Sequence, residues 1–142
     1  MIPFFGVDRQ YDDLRDQILD ATDEVYRSGQ VLDGANTALF EMKMAHRCNR
    51  KHAVTVNSGT QALIFALQAR DPNRAVKGTL IPAISFIATL NATQMVDEYT
   101  ALCDVDFSGL IDLNSIRTPL RDAFDTIMYV NLYGNTVDYD RF

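Results

Sequence analysis

Cysteine and histidine are scarce in this 142-residue sequence, which contains two residues of each. Cys48 falls in a helical pattern and Cys103 in a strand pattern, so the sequence favours two buried thiols in a reducing compartment over a disulfide. His46 and His52 lie near Cys48, but a helix would place His46 and Cys48 on different faces, and no fourth ligand is evident. We therefore predict no metal site.

Basic residues are also fewer than acidic residues. Thirteen lysine and arginine residues stand against nineteen aspartate and glutamate residues, and the net charge is -6. No broad basic face is left for nucleic acid or an anionic membrane. The longest weakly apolar stretch, residues 80–90, is too short to span a bilayer, and the sequence starts without a basic signal-peptide region. We expect a cytoplasmic protein with no nucleic-acid or membrane partner.

Several catalytic motifs are missing as well. The sequence has no Gly-x-Ser-x-Gly elbow, no Walker or dinucleotide glycine pattern, and no histidine placed to complete a nucleophile triad. Residues 104–112 match the early positions of an EF-hand loop, including Gly109. The twelfth position is Ser115 where calcium needs a bidentate glutamate, and the preceding segment reads as a strand. This segment is better interpreted as a strand end followed by a turn.

What the sequence does contain is a change of hydrophobic period near Ala53. Before it, apolar residues recur at helical spacing, and Gly29 ends the first such run. After it, short strands alternate with helices, which predicts an α/β fold with a mainly parallel sheet. We expect an amino-terminal helical segment at 1–52 and an incomplete α/β domain at 53–142. The expected helices are 8–28, one starting near Asn36 or Thr37, 60–69, 88–96 and 115–123; the expected strands are 53–57, 79–82, 99–105 and 126–131.

The stretch from Val54 to Leu67 reads as a strand, a turn and a helix, with Leu63, Ala66 and Leu67 on the apolar side. Its turn offers unpaired backbone N–H groups to a phosphate or carboxylate, and Gly59 would allow a close approach. The same residues also form a capping box, Ser58-x-x-Gln61, which starts a helix without binding anything. On this stretch alone the cap is favoured.

Phe86 follows the second predicted strand and also has two interpretations. Its side chain could pack in the core, or it could stack on a flat cofactor ring at the carboxyl end of the sheet. The three lysines, Lys43, Lys51 and Lys77, fall in a helix, a turn and a loop, where solvated surface is the ordinary role.

A series of short blocks in fixed order covers nearly the whole chain: Ile2-Pro3-Phe4, Val31-Leu32-Asp33-Gly34, Phe40-Glu41, Met44-Ala45, Asn57-Ser58-Gly59-Thr60-Gln61-Ala62-Leu63, Ile81-Pro82, Ser85-Phe86-Ile87-Ala88-Thr89, Asp104-Val105-Asp106 and Val130-Asn131-Leu132-Tyr133-Gly134. In these blocks the chain resembles the amino-terminal part of the DegT/DnrJ/EryC1/StrS aminotransferases. These pyridoxal-phosphate (PLP) enzymes of fold type I aminate keto sugars attached to nucleotides.

The resemblance implies an α/β fold in the form of a partial, truncated fold type I large domain, with two leading helices and then alternating strands and helices. It makes Gly59 and Thr60, with Ser58 at the turn, the cup for the PLP phosphate. It also places the ring of Phe86 against the pyridine ring. From the family's sheet order we expect only the second and third strands to be neighbours, whereas the first and fourth pair with later strands.

The resemblance also implies what residues 1–142 lack. The Schiff-base lysine and the aspartate that pairs with the pyridine nitrogen lie beyond the position of Phe142, so we expect this chain alone to be inactive, whether it is a fragment, a split-gene half or a relic. The complete enzyme is expected to be a homodimer, or to need a complementing carboxy-terminal chain, and to take a nucleotide-sugar substrate. The alternative is a non-catalytic truncated homologue that binds a subunit or a phosphate ligand.

Overall fold

The structure is a computed structural model, and it describes residues 6–70, 73, 78–116 and 123–136. The chain divides into two compact units between Thr55 and Val56. The elements are α1 (Val7–Ser28), α2 (Ala35–Arg47), α3 (Gly59–Gln68), β1 (Gly78–Pro82), α4 (Ala88–Met95), β2 (Tyr99–Cys103) and β3 (Thr126–Ile127), with single 3-10 turns at Leu113–Ser115 and Leu132–Gly134. None of the described helices combines the length and the apolar character that crossing a membrane requires.

The first unit contains the two long helices that the period of the apolar residues predicts. Helix α1 ends at Gly29, whose φ of +71° is the left-handed conformation that glycine adopts readily. None of the residues of α1 is buried, and Tyr11, Leu14 and Ile18 on its apolar stripe remain 43–45% exposed. In α2 the buried residue is Ala45. Cys48 ends α2 and is exposed, so the prediction of two buried thiols is wrong for Cys48.

The second unit is built around a three-stranded parallel sheet in the order β2-β1-β3. The central strand β1 is buried along its whole length, because it has a strand on each side and α4 packed against it. Its Thr79 and Leu80 pair with Thr126 and Ile127 of β3. The expectation that the fourth predicted strand pairs only with later strands is therefore wrong: it is a direct neighbour of the second.

The strand expected at 53–57 does not form. Strands are held by ladders of backbone hydrogen bonds, and within the described residues no ladder includes this segment. The N–H of Thr55 donates instead to Oε1 of Glu41, 2.7 Å away. Strands β2 and β3 are shorter than predicted, and after β2 the chain turns back through a bridge between Val105 and Ile111. The helix expected at 115–123 falls mostly outside the described residues.

One hydrophobic cluster of the second unit lies between α3 and α4. Ile64 and Leu67 of α3 are buried together with Ala92 of α4. Their spacing of three residues puts Ile64 and Leu67 on one side of the helix. Ala66, which was expected on the apolar side, is exposed. The prediction of a helix here is confirmed, and its buried face includes Ile64 in place of Ala66.

Candidate functional site

Ser58 starts α3 as its N-cap. Its backbone is extended, at φ -159° and ψ 158°, and its Oγ accepts a hydrogen bond of 3.2 Å from the N–H of Gln61. The Ser58 carbonyl accepts from Ala62 N at 3.0 Å and so begins the helical ladder. The cap that the sequence predicts at Ser58 is formed, and it satisfies one of the amide groups that every helix start leaves without an intrahelical partner.

The amides of Gly59 and Thr60 form the rest of this helix start. Within the described residues neither of these two N–H groups donates a hydrogen bond. A Cβ added at Gly59 would meet nothing within 4 Å, so the space beside its backbone is open. Thr60 is half-buried beside it. Two amides that donate no hydrogen bond to any described residue, the positive end of a ten-residue helix and open space fit the requirements of a phosphate group.

The position of the carboxyl end of α3 follows from Arg70, two residues past the end of the helix. The guanidinium forms an ion pair of 2.7 Å with Glu98, which precedes β2, and lies 3.7 Å from Asp125, which precedes β3. The carboxyl end of α3 therefore lies at the amino ends of β2 and β3. Ten helical residues rise about 15 Å, and the five residues of β1 rise about 16 Å. A helix of this length that ran antiparallel to the strands would bring its amino end level with the carboxyl end of β1.

Phe86 lies on the loop that leaves this carboxyl end. Its ring is 72% exposed, so of its two interpretations the core-packing one is wrong. The Phe86 carbonyl accepts from Thr89 N at 3.0 Å, and Ser85 Oγ lies 2.7 Å from Thr89 Oγ1. These bonds attach the loop to the first turn of α4. The structure thus groups Ser58, Gly59 and Thr60 in one turn and places Phe86 on a separate loop that follows β1.

Two groups of interacting residues, one in each unit, were not singled out as functional by the sequence. Glu41 accepts from both the N–H and the Oγ1 of Thr55, at 2.7 and 2.9 Å, and these hydrogen bonds, the backbone one first, lower the pKa of its carboxyl. The signal in the sequence that could have pointed to Glu41 was its place in the Phe40-Glu41 block. The sequence contained no signal for the buried partners of Arg70, because a charged residue is by default expected to be exposed to solvent.

The fold first defines a class of protein. The chain superposes on a DegT DnrJ EryC1 StrS aminotransferase from Brucella abortus with a TM-score of 0.85 and 22% identity, over 99% of this chain and 40% of that one. At that identity the likeness establishes the fold, which is the α/β fold of the fold type I aminotransferases.

The sequence then defines the family. Residues 12–142 match the DegT/DnrJ/EryC1/StrS aminotransferase family, and the chain belongs to it. It is 30% identical over 140 residues to the erythromycin biosynthesis sensory transduction protein EryC1 of Saccharopolyspora erythraea, and 30% identical over 129 residues to the GDP-perosamine synthase of Caulobacter vibrioides. These matches cover 98% and 89% of this chain but 38% and 33% of the two relatives. The chain thus spans about a third of the length of these curated relatives.

Proposed function

We propose that this chain is the part of a PLP-dependent aminotransferase that holds the phosphate of the cofactor. The complete enzyme would move an amino group from an amino acid, such as glutamate, to a nucleotide-linked keto sugar. The observation that carries the proposal is the open amino end of α3, with two free amides, in a chain of this family. The sugar substrate is supported by relatives whose names describe nucleotide-sugar enzymes, such as the GDP-perosamine synthase.

Each residue of the proposed site has a defined task. The amides of Gly59 and Thr60 donate to phosphate oxygens, and the Thr60 hydroxyl is a further donor. Ser58 keeps the helix start in place through its bond to Gln61. Phe86 offers an exposed ring that can cover the face of the cofactor ring and keep water from it. When bound, PLP supplies the electron sink for amino transfer.

We further propose that residues 1–142 alone do not transaminate. None of Lys43, Lys51 and Lys77 stands in the family's lysine motif, so the group that attaches the cofactor would come from elsewhere in the complete enzyme. That enzyme would be a homodimer, or would combine this chain with a complementing carboxy-terminal chain.

The substitution Gly59→Ala tests the phosphate site. Its methyl group meets nothing within 4 Å, and alanine is the better helix former, so the free energy of unfolding should stay equal or rise. The same methyl group would stand where the phosphate approaches, so the affinity for PLP, followed by absorption and by competition with inorganic phosphate, should fall. A second substitution, Gly59→Asp, places a carboxylate at the first residue of α3. Its control is Ala35→Asp, which places a carboxylate at the first residue of α2. Only Gly59→Asp should abolish binding.

Unchanged PLP affinity in Gly59→Ala would reject this site. Reduction of the PLP-treated chain with borohydride, followed by mass spectrometry, tests the lysine proposal separately. Specific labelling of Lys43, Lys51 or Lys77 would show that the chain carries its own attachment residue.

A further inference from the structure

Arg70 joins the carboxyl end of α3 to all three strands of the sheet at the edge where the strands begin. Its Nη2 forms the ion pair with Oε1 of Glu98, at 2.7 Å, where β2 begins. Its Nη1 donates to the hydroxyl of Thr126, the first residue of β3, and lies 3.7 Å from Oδ1 of Asp125. One side chain thus connects the end of a helix to the starts of two strands.

The third strand is joined through the carboxylate of Glu98. Its Oε2 accepts a hydrogen bond of 2.9 Å from the hydroxyl of Thr79, the second residue of β1. The side chain of Glu98 is 3% exposed, and Thr79 is fully buried. A carboxylate at this depth requires a charged partner and hydrogen bonds, because water does not reach it. Arg70 provides that charge, and at 21% exposure its own side chain is largely buried.

Arg70 is also bonded to the helix that precedes it. Its Nε donates to the carbonyl of Leu67 at 3.2 Å, so the guanidinium satisfies one of the last carbonyls of α3 and places a positive charge at the negative end of the helix dipole. The planar guanidinium thus contacts the helix end and the strand starts at the same time. A lysine, which carries a point charge on a flexible stem, cannot make this set of directed contacts.

We propose that Arg70 is a positioning residue for the phosphate site, an inference that rests on the function proposed above. A ten-residue helix is a stiff rod. Arg70 holds this rod at its carboxyl end, and the packing of Ile64 and Leu67 with Ala92 of α4 holds it along its length. The guanidinium of Arg70 therefore helps to fix where the amides of Gly59 and Thr60 lie, although it touches neither residue.

A triple substitution separates positioning from stability. Arg70→Met, Glu98→Leu and Thr79→Val together replace the buried polar group by apolar side chains of similar size, a change that commonly preserves stability, whereas Arg70→Met alone removes the ion pair of the buried Glu98. We expect the triple variant to unfold near the wild-type denaturant midpoint and to bind PLP on the order of tenfold more weakly. Wild-type affinity in the folded triple variant would overturn the proposal.

A second variant and a ligand-free measurement complete the test. Arg70→Lys keeps the charge and loses the planar contacts, so the chain should fold while the amide resonances of Gly59 and Thr60 shift without any ligand. The matched control is Arg27→Met, which removes an exposed ion pair with Asp23 on α1 and should shift neither resonance. Unmoved resonances in both Arg70 variants would refute positioning even if the wild-type chain binds no PLP. Absence of PLP binding by the wild-type chain would reject the phosphate site alone.

Discussion

Glu41 provides a hydrogen-bond acceptor where the sequence led us to expect a neighbouring strand. The segment from Ala53 to Val56 has the alternating β-branched pattern of a strand but no ladder within the described residues. Oε1 of Glu41 accepts the two hydrogen bonds from Thr55 instead. An amide that a β-sheet would satisfy is therefore satisfied by a helix side chain, and the charge of Glu41 becomes part of the local structure.

This contact predicts a pH dependence. The two bonds from Thr55 lower the pKa of Glu41 below its usual value of 4.5. The stabilisation from a lowered carboxyl pKa is present above the unfolded-state pKa and is lost as the pH falls through the folded-state pKa. Carbon-13 NMR of the Glu41 carboxyl should therefore give a midpoint below 4.5, and protection of the Thr55 amide from hydrogen exchange should decrease across the same transition.

Thr55→Val supplies the control for this titration. It removes the hydroxyl donor and keeps the backbone N–H, which is the larger cause of the shift. The pKa of Glu41 should then rise part of the way toward its usual value and stay below it. A wild-type midpoint at the usual value would mean that the contact is not formed in solution.

At the scale of whole elements, the contact between α3 and α4 should contribute most of the stability that single substitutions can remove. Leu67 is 5% exposed and packs against Ala92, which is fully buried. Leu67→Ala should lower the free energy of unfolding by about 3 kcal/mol, because it removes buried methyl groups and leaves a cavity. Phe65→Ala is the matched control on the same helix, where the ring is 50% exposed, and should cost less than about 1 kcal/mol. Equal effects in urea unfolding would show that this helix face is not packed.

The order and type of these elements could be predicted from the sequence because they follow from local patterns. Helices α1, α3 and α4 lie within one residue of the expected bounds at each end, since apolar spacing and caps such as Ser58 and Gly29 act within a few residues. Pairing could not be predicted in the same way. The pairing of β3 with β1 and the missing ladder at residues 53–56 depend on contacts between distant segments.

In the candidate site, too, the features that depend on local sequence could be predicted and those that depend on distant contacts could not. The turn at Ser58 could be found because a serine cap three residues before a glutamine is a local signal, and Phe86 because it follows a strand. The group formed by Arg70, Glu98 and Thr79 joins residues far apart in the chain, and nothing in their neighbouring sequence distinguishes them from solvated side chains. A buried ion pair becomes visible only once the fold has brought its members together.

At the scale of the whole molecule, the chain divides into two compact units between Thr55 and Val56. Each unit carries one free cysteine, Cys48 in the first and Cys103 in the second. The thiol of Cys103 is 4% exposed and lies 3.3 Å from both the Asp112 carbonyl and Ser115 Oγ. The two thiols can therefore report separately on the folding of the two units.

Thiol labelling with an aromatic disulfide reagent should show one fast and one slow reaction in the native chain. Cys48 is exposed and should react fast. Burial raises the pKa of Cys103, so at neutral pH its thiol stays protonated as well as covered, and the thiolate is the reactive form. Cys48→Ser should leave only the slow reaction and Cys103→Ser only the fast one, while denaturant should make both thiols react fast.

If Cys103 reacted as fast as Cys48 in the native chain, the sheet edge at β2 would be open in solution. The slow rate thus measures how often the second unit opens, because Cys103 can react only when the turn around Asp112 and Ser115 separates from β2.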